Sequence, residues 1–162
     1  MEFRPPAFYR LFFLTIEPIS ALVGAYFAHF QPQTYLQLTH ALSAPQADIP
    51  LGTQVVLTQL ANLYFLFAIN EALVLRSSSD LRVWRTLLFG LLVADFGHLY
   101  SVLGLGTGVY WKVYEWSAMD WGNVGFVYAG ALTRIAFLCG LEIPTEQDAV
   151  AAKTGTDKAK RY

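Results

Sequence analysis

The sequence predicts an all-α protein, an integral membrane bundle of four transmembrane helices with both termini cytoplasmic. Three observations predict it. First, 55% of the 162 residues are hydrophobic and only 14% charged, against about 25% charged in soluble domains. Second, the charges gather at the two ends and in one connecting loop, where a soluble chain spreads them along helix faces. Third, four mainly apolar runs of the length needed to cross about 30 Å of hydrocarbon alternate with polar connections. The bundle is assigned to residues 1–141.

The first span covers about 8–30. Pro5 and Pro6 suit a helix start, and Pro18 inside the span removes a backbone hydrogen bond that a neighbour has to replace. The run is longer than a signal-peptide core and has no clear cleavage site, so it reads as a span that stays. A polar connection with Pro32, Pro45 and Pro50 leads to the second span, about 53–75. The basic link from Arg76 to Arg82 precedes the third, about 83–103. Gly104, Gly106 and Gly108 make a turn. An aromatic stretch with Tyr110, Trp111, Tyr114, Trp116 and Trp121 reads as an interfacial belt before the fourth span, about 121–141. Residues 142–162 are polar and expected to be disordered. Nine of the 11 lysines and arginines fall in the head, the 76–85 link and the tail, against Lys112 in the third loop, with Arg134 inside a span. That imbalance places the head, link and tail in the cytoplasm. The tail, ending Lys158-Ala-Lys160-Arg-Tyr162, resembles a dilysine signal and points to the endoplasmic reticulum.

The apolar spans carry charges that mere spanning does not need. An ionised side chain at a helix centre costs at least about 2.5–3.5 kcal/mol on insertion scales. Counting about 1.5 Å per residue, Glu17, Asp95 and Arg134 share a layer near the midplane, while Glu71 lies near the cytoplasmic rim, where it snorkels or pairs with Arg76. At about 100° per residue, Glu17 shares a face with Ser20, Ala21, Gly24 and Ala28. Gln59, Asn62 and Asn70 fall in one sector with Glu71 beside it. Asp95, His98 and Val102 share a face with Tyr100 off to one side, and so do Asn123, Val127, Gly130 and Arg134. Four polar stripes aimed at one interior leave a lipid-facing surface of Leu, Phe, Val and Ile.

Two readings fit these stripes. In one, Arg134 neutralises Asp95 or Glu17, and the amides tie helices together. In the other, two acids compete for a single permanent cation, and two carboxyl groups in different protonation states are what acid–base catalysis requires. The candidate catalytic residues are then Glu17, Asp95, Arg134 and His98. Asn62, Asn70, Glu71, Tyr100 and Asn123 are candidates for holding substrate or water. The chain has no Cys/His metal spacing, no phosphate-binding or dinucleotide motif and no serine-nucleophile motif. A formal net charge of −1 gives no field for nucleic acid. Cys139, the single cysteine, sits in an apolar run and reads as packing. No metal and no cofactor is expected. The expected partners are membrane lipid and a lipophilic small molecule, and the small-residue stripes permit a homodimer.

The stretches Phe12-Phe-Leu-Thr-Ile-Glu17-Pro18, Gln59-Leu-Ala-Asn62-Leu-Tyr64, Asn70-Glu71-Ala, Leu75-Arg76, Trp84-Arg85, Asp95-Phe-Gly-His98-Leu-Tyr100, Trp121-Gly-Asn123 and Arg134 resemble small four-span membrane proteins of filamentous fungi found with secondary-metabolite pathways. Some of those proteins are similar to membrane-bound epoxide hydrolases or cyclases of aurovertin- or citreoviridin-type polyene pathways. The resemblance implies cofactor-independent opening of epoxides in a lipophilic, polyketide-type polyene. A more distant likeness, to membrane sterol isomerases and meroterpenoid cyclases, implies a carbocation cyclase or double-bond isomerase instead. A third alternative is a non-catalytic lipid- or sterol-binding membrane protein. Soluble limonene-type epoxide hydrolases use two carboxylic acids bridged by arginine with Asn and Tyr holding water. Glu17, Asp95, Arg134, Asn62 and Tyr100 supply the same residue types by analogy.

Overall fold

The computed structural model describes residues 3–143, so the tail from residue 144 on, with its dilysine resemblance and the disorder expected there, lies outside the described residues. Among these residues the chain is all-helical, with no strand. Helix α1 spans Ala7–Phe30 and starts after Pro6, whose extended backbone (φ −49°, ψ 151°) sets the first turn. Helix α2, Pro32–His40, lies within what the sequence suggested was only a polar connection. Helix α3, Leu51–Leu75, follows Pro50, and α4 is Leu81–Leu105. The Asp80 carboxylate caps α4 by accepting from the Arg82 N–H at 2.7 Å. Helix α5, residues 118–138, starts with a capping box in which Asp120 N–H donates to Ser117 Oγ and Ser117 N–H to the Asp120 carboxylate. Gly106, between α4 and α5, takes a positive φ of 99° that favours glycine.

Three of these helices, α1, α3 and α4, are long and apolar enough to cross a membrane. Helix α5 is not among them; three glycines, Asn123 and Arg134 dilute its apolar character. Leu22, Val23, Leu63, Phe65, Leu66, Phe89, Val93, Phe96 and Leu132 are exposed on the outside of the bundle, a distribution that water does not favour and hydrocarbon does.

Helix α1 packs along α3, and α4 along α5. In the first pair, contact runs from Arg76 against Leu14 to Tyr64 against Gly24 and on to the cluster of Ala28, Leu57 and Ala61, so the helices are antiparallel. Trp84, Phe13, Phe137, Leu75 and Leu88 are fully buried near the terminal end. Tyr9 and Phe137 meet edge to face at 5.2 Å, and the Trp84 indole N–H donates to Ser78 O at 3.0 Å. The opposite end closes around Ala28, Tyr35, Leu57 and Ala61.

Three π-helical turns interrupt the helices, at Phe12–Ile16, Asn70–Leu75 and Trp121–Gly125. Such turns cluster at functional sites. Here one leads directly into Glu17, one contains Glu71 and one contains Asn123. The first has a visible cause: Pro18 has no N–H to give the Leu14 carbonyl four residues back. Arg76 supplies the replacement, donating to Leu14 O at 2.7 Å and to Ala72 O at 3.0 Å.

Candidate functional site

Arg134 is 2% exposed and organises the bundle interior. Its Nη1 donates to Asp95 Oδ2 at 2.7 Å, and its Nη2 donates to Glu17 Oε1 and, at 3.2 Å, to Glu71 Oε1. One guanidinium from α5 therefore joins carboxyl groups from α1, α3 and α4. The Phe13 ring lies 5.8 Å from its Cζ. Gly130, one turn before Arg134, makes room: a Cβ there would stand 2.8 Å from Nη1 and 3.4 Å from Glu17 Oε1.

Three carboxyl groups against one cation leave an excess of negative charge if all are ionised, and unpaired buried charge is expensive. Glu17 Oε1 and Glu71 Oε1 also share one donor, Nη2 of Arg134, which sets the two carboxyl groups side by side. Two neighbouring carboxyl groups that share one donor repel each other when both are ionised, and a proton on either relieves that. The cluster thus has a built-in place for a proton beside Glu17, while Asp95 stands apart on the other guanidinium nitrogen. Glu17 Oε2, Glu71 Oε2, Arg134 Nε and His98 Nε2 are buried without a hydrogen-bond partner among the described residues.

The three carboxyl groups and His98, but not Arg134, border a cavity of about 400 Å³ lined by all five helices. Glu17, Glu71, Asp95, His98 and Asn123 reach it. Ser20, Ala21 and Gly24 of α1, Ala94 of α4 and Gly122 of α5 keep it open by being small, and Phe27, Tyr64, Phe67 and Phe126 wall it. An interior apolar pocket with a few convergent polar groups is the usual form of a small-molecule site. Three carboxyl groups, a fixed cation and an imidazole can donate a proton, accept one and hold a water between them. Among the described residues no group of three or more His, Cys, Asp and Glu side chains is placed to hold a metal ion.

The structure brings Glu17, Asp95 and Arg134 together and sets His98 and Asn123 on the same cavity. It corrects the placement of Glu71, which is 1% exposed and bonded to Arg134, while Arg76 is engaged with carbonyls. Counting depth from helix ends left out the reach of the glutamate and arginine side chains. Three residues are not brought to the site. Asn62 is exposed, as is Gln59; the inward stripe of α3 is Leu57, Ala61, Tyr64, Ala68, Glu71 and Leu75, set by packing against α1 and not by amide positions. Asn70 faces a separate groove with Val74, Arg82 and Thr86. Tyr100 is 77% exposed. Cys139 is also exposed, not packed. The sequence reading missed Tyr35 and Tyr64 as cavity residues, and placed Gly130 on the Arg134 face without giving it a role. Tyr64 was findable, because it lies on the same helical stripe as Glu71.

A family model described as "Domain of unknown function (DUF7704)" matches residues 4–144, and the chain belongs to that family. No curated protein and no solved structure matches the chain.

Proposed function

In this DUF7704 chain we propose a membrane-embedded epoxide hydrolase or cyclase that opens epoxides of a lipophilic polyene by carboxyl acid–base catalysis, in secondary-metabolite biosynthesis. The observation that carries the proposal is the convergence of Glu17, Glu71 and Asp95 on Arg134 at the edge of a largely apolar cavity. The resemblance of the Glu17-Pro18, Asn70-Glu71 and Asp95-to-Tyr100 stretches to fungal membrane epoxide hydrolases narrows acid–base chemistry to epoxides. With α5 counted as a fourth span, both termini and the 76–85 link share the cytoplasmic side, consistent with their lysines and arginines and with residence in the endoplasmic reticulum.

The roles follow from the hydrogen bonds. Glu17 and Glu71, which share Nη2 of Arg134, hold one proton between them, and Glu17 delivers it to the epoxide oxygen as the carbon–oxygen bond breaks. Asp95, paired with Nη1 of Arg134, takes a proton from the water or substrate hydroxyl that attacks the carbon. The proton then returns from Asp95 to the glutamate pair, so acid and base are both restored. His98 and Asn123 hold the water. The apolar walls fix which carbon faces the nucleophile, and so whether a diol or a ring forms.

A carbocation cyclase or double-bond isomerase is the second reading, favoured by Phe27, Phe67 and Phe126 along the walls, whose π faces suit a cation. The test is turnover of a polyene epoxide by membranes containing the protein in oxygen-labelled, deuterated water. Epoxide opening puts label oxygen on a former epoxide carbon, or forms a cyclic ether without it. Isomerisation puts deuterium on carbon. An unchanged substrate would leave a lipid-binding protein.

A further inference from the structure

We infer that Tyr35 and Tyr64 form a second polar pole of the cavity that binds a neutral hydroxyl or carbonyl at the far end of the substrate. This deepens the epoxide reading and rests on it only for the identity of the reacting group. Both tyrosines line the same cavity as Glu17 and Asp95. Their hydroxyls meet at 3.2 Å, and neither has another hydrogen-bond partner among the described residues. When two hydroxyls bond only to each other, one proton stays uncommitted and lone pairs remain free. Tyr35 is buried and comes from α2, which folds over this end of the bundle. An uncommitted hydroxyl in an apolar enclosure is poorly satisfied, and a polar group of a ligand satisfies it. Among the described residues no lysine or arginine lines the cavity, so none of them there compensates a carboxylate or phosphate.

The distance between the poles follows from two helices independently. The Tyr64 ring lies over Gly24, with its Cδ2 and Cε2 each 3.3 Å from where a Cβ would be. Gly24 is seven residues from Glu17, and Tyr64 is seven residues from Glu71. Both offsets correspond to about 10 Å along the helix axis. The ligand is therefore a slender lipophilic molecule whose hydroxyl or carbonyl lies about 10 Å from the atoms that react.

The experiment uses the full chain in detergent and a homologous series of ω-hydroxy-1,2-epoxides of increasing chain length, each paired with the epoxide lacking the hydroxyl. The matching triols, which need no turnover, are tested for binding through the shift in unfolding temperature. The expected result is an optimum at the member whose polar groups stand about 10 Å apart, favoured roughly three- to tenfold over its unhydroxylated partner. Tyr35→Phe and Tyr64→Phe, which keep the ring, should each pull that preference towards unity. A triol optimum that these variants abolish supports the subsite even if no epoxide is opened. The hydrolase reading then falls alone. Turnover or binding with no length optimum, or an optimum unchanged in both Phe variants, overturns the subsite and leaves the hydrolase reading standing.

Discussion

Phe13, Trp84 and Phe137 pack the interior at one end of the bundle and leave a polar hollow beside Arg4, Arg76 and Ser78, whereas the same helices around Gly24, Tyr64 and Ala94 line a largely apolar cavity of about 400 Å³. The difference is one of side-chain volume along shared helices. Near the termini, aromatic rings interlock. A few turns further on, Ser20, Ala21, Gly24, Ala94 and Gly122 replace them. Arg134 sits at the boundary, with Phe13 on one side and the carboxyl groups on the other. The packed end holds the helices in place, and the open end leaves room for a ligand.

The largest expected effect breaks the boundary. Arg134→Ala strands one buried and two partly buried carboxyl groups and should cost about 3–5 kcal/mol, read as a fall in unfolding temperature in detergent. Adding Glu17→Gln, Glu71→Gln and Asp95→Asn to that variant should recover most of the loss without recovering turnover. That result separates a structural network from a reacting one. Trp84→Ala should cost about 3–5 kcal/mol through the cavity it leaves in the packed end, while the variant that remains folded keeps its substrate preference, measured as relative turnover across a chain-length series.

Effects then become smaller and more local. Gly130→Ala places a methyl where the guanidinium passes and should lower stability by about 1–3 kcal/mol, with a larger fractional loss of turnover. Ala94→Phe, which points bulk into the open end, should leave the unfolding temperature close to wild type and abolish binding of lipophilic ligands. At the bottom of the scale, Tyr100→Phe and Asn62→Ala alter exposed residues and should stay within about 0.5 kcal/mol with turnover unchanged.

The three long apolar helices, α1, α3 and α4, were legible because apolar runs bounded by Pro5, Pro6, Pro32 and Pro50 leave few alternatives. The meeting of Glu17, Asp95 and Arg134 was legible too, since regular 3.6-residue geometry carries each from its small-residue stripe to the interior. The inward face of α3 was not, because Gln59, Asn62 and Asn70 drew it away from the Ala61–Tyr64–Ala68–Glu71 stripe that packs on α1. The π turns were equally hidden: Pro18 signals a disturbed hydrogen bond, but that Arg76 would replace it depends on a contact 62 residues away. Tyr35 escaped notice because its helix lies in a stretch whose prolines and polar residues read as loop.

Turnover of a lipophilic epoxide by purified Asp95→Asn and Glu17→Gln proteins, compared with wild type at matched folded concentration, tests the central claim most directly. Loss of at least two orders of magnitude in each, in the range expected for removing a general acid or base, with the unfolding transition retained, is the predicted result. Wild-type rates in both variants would contradict it and reduce the Arg134 cluster to a tie between helices.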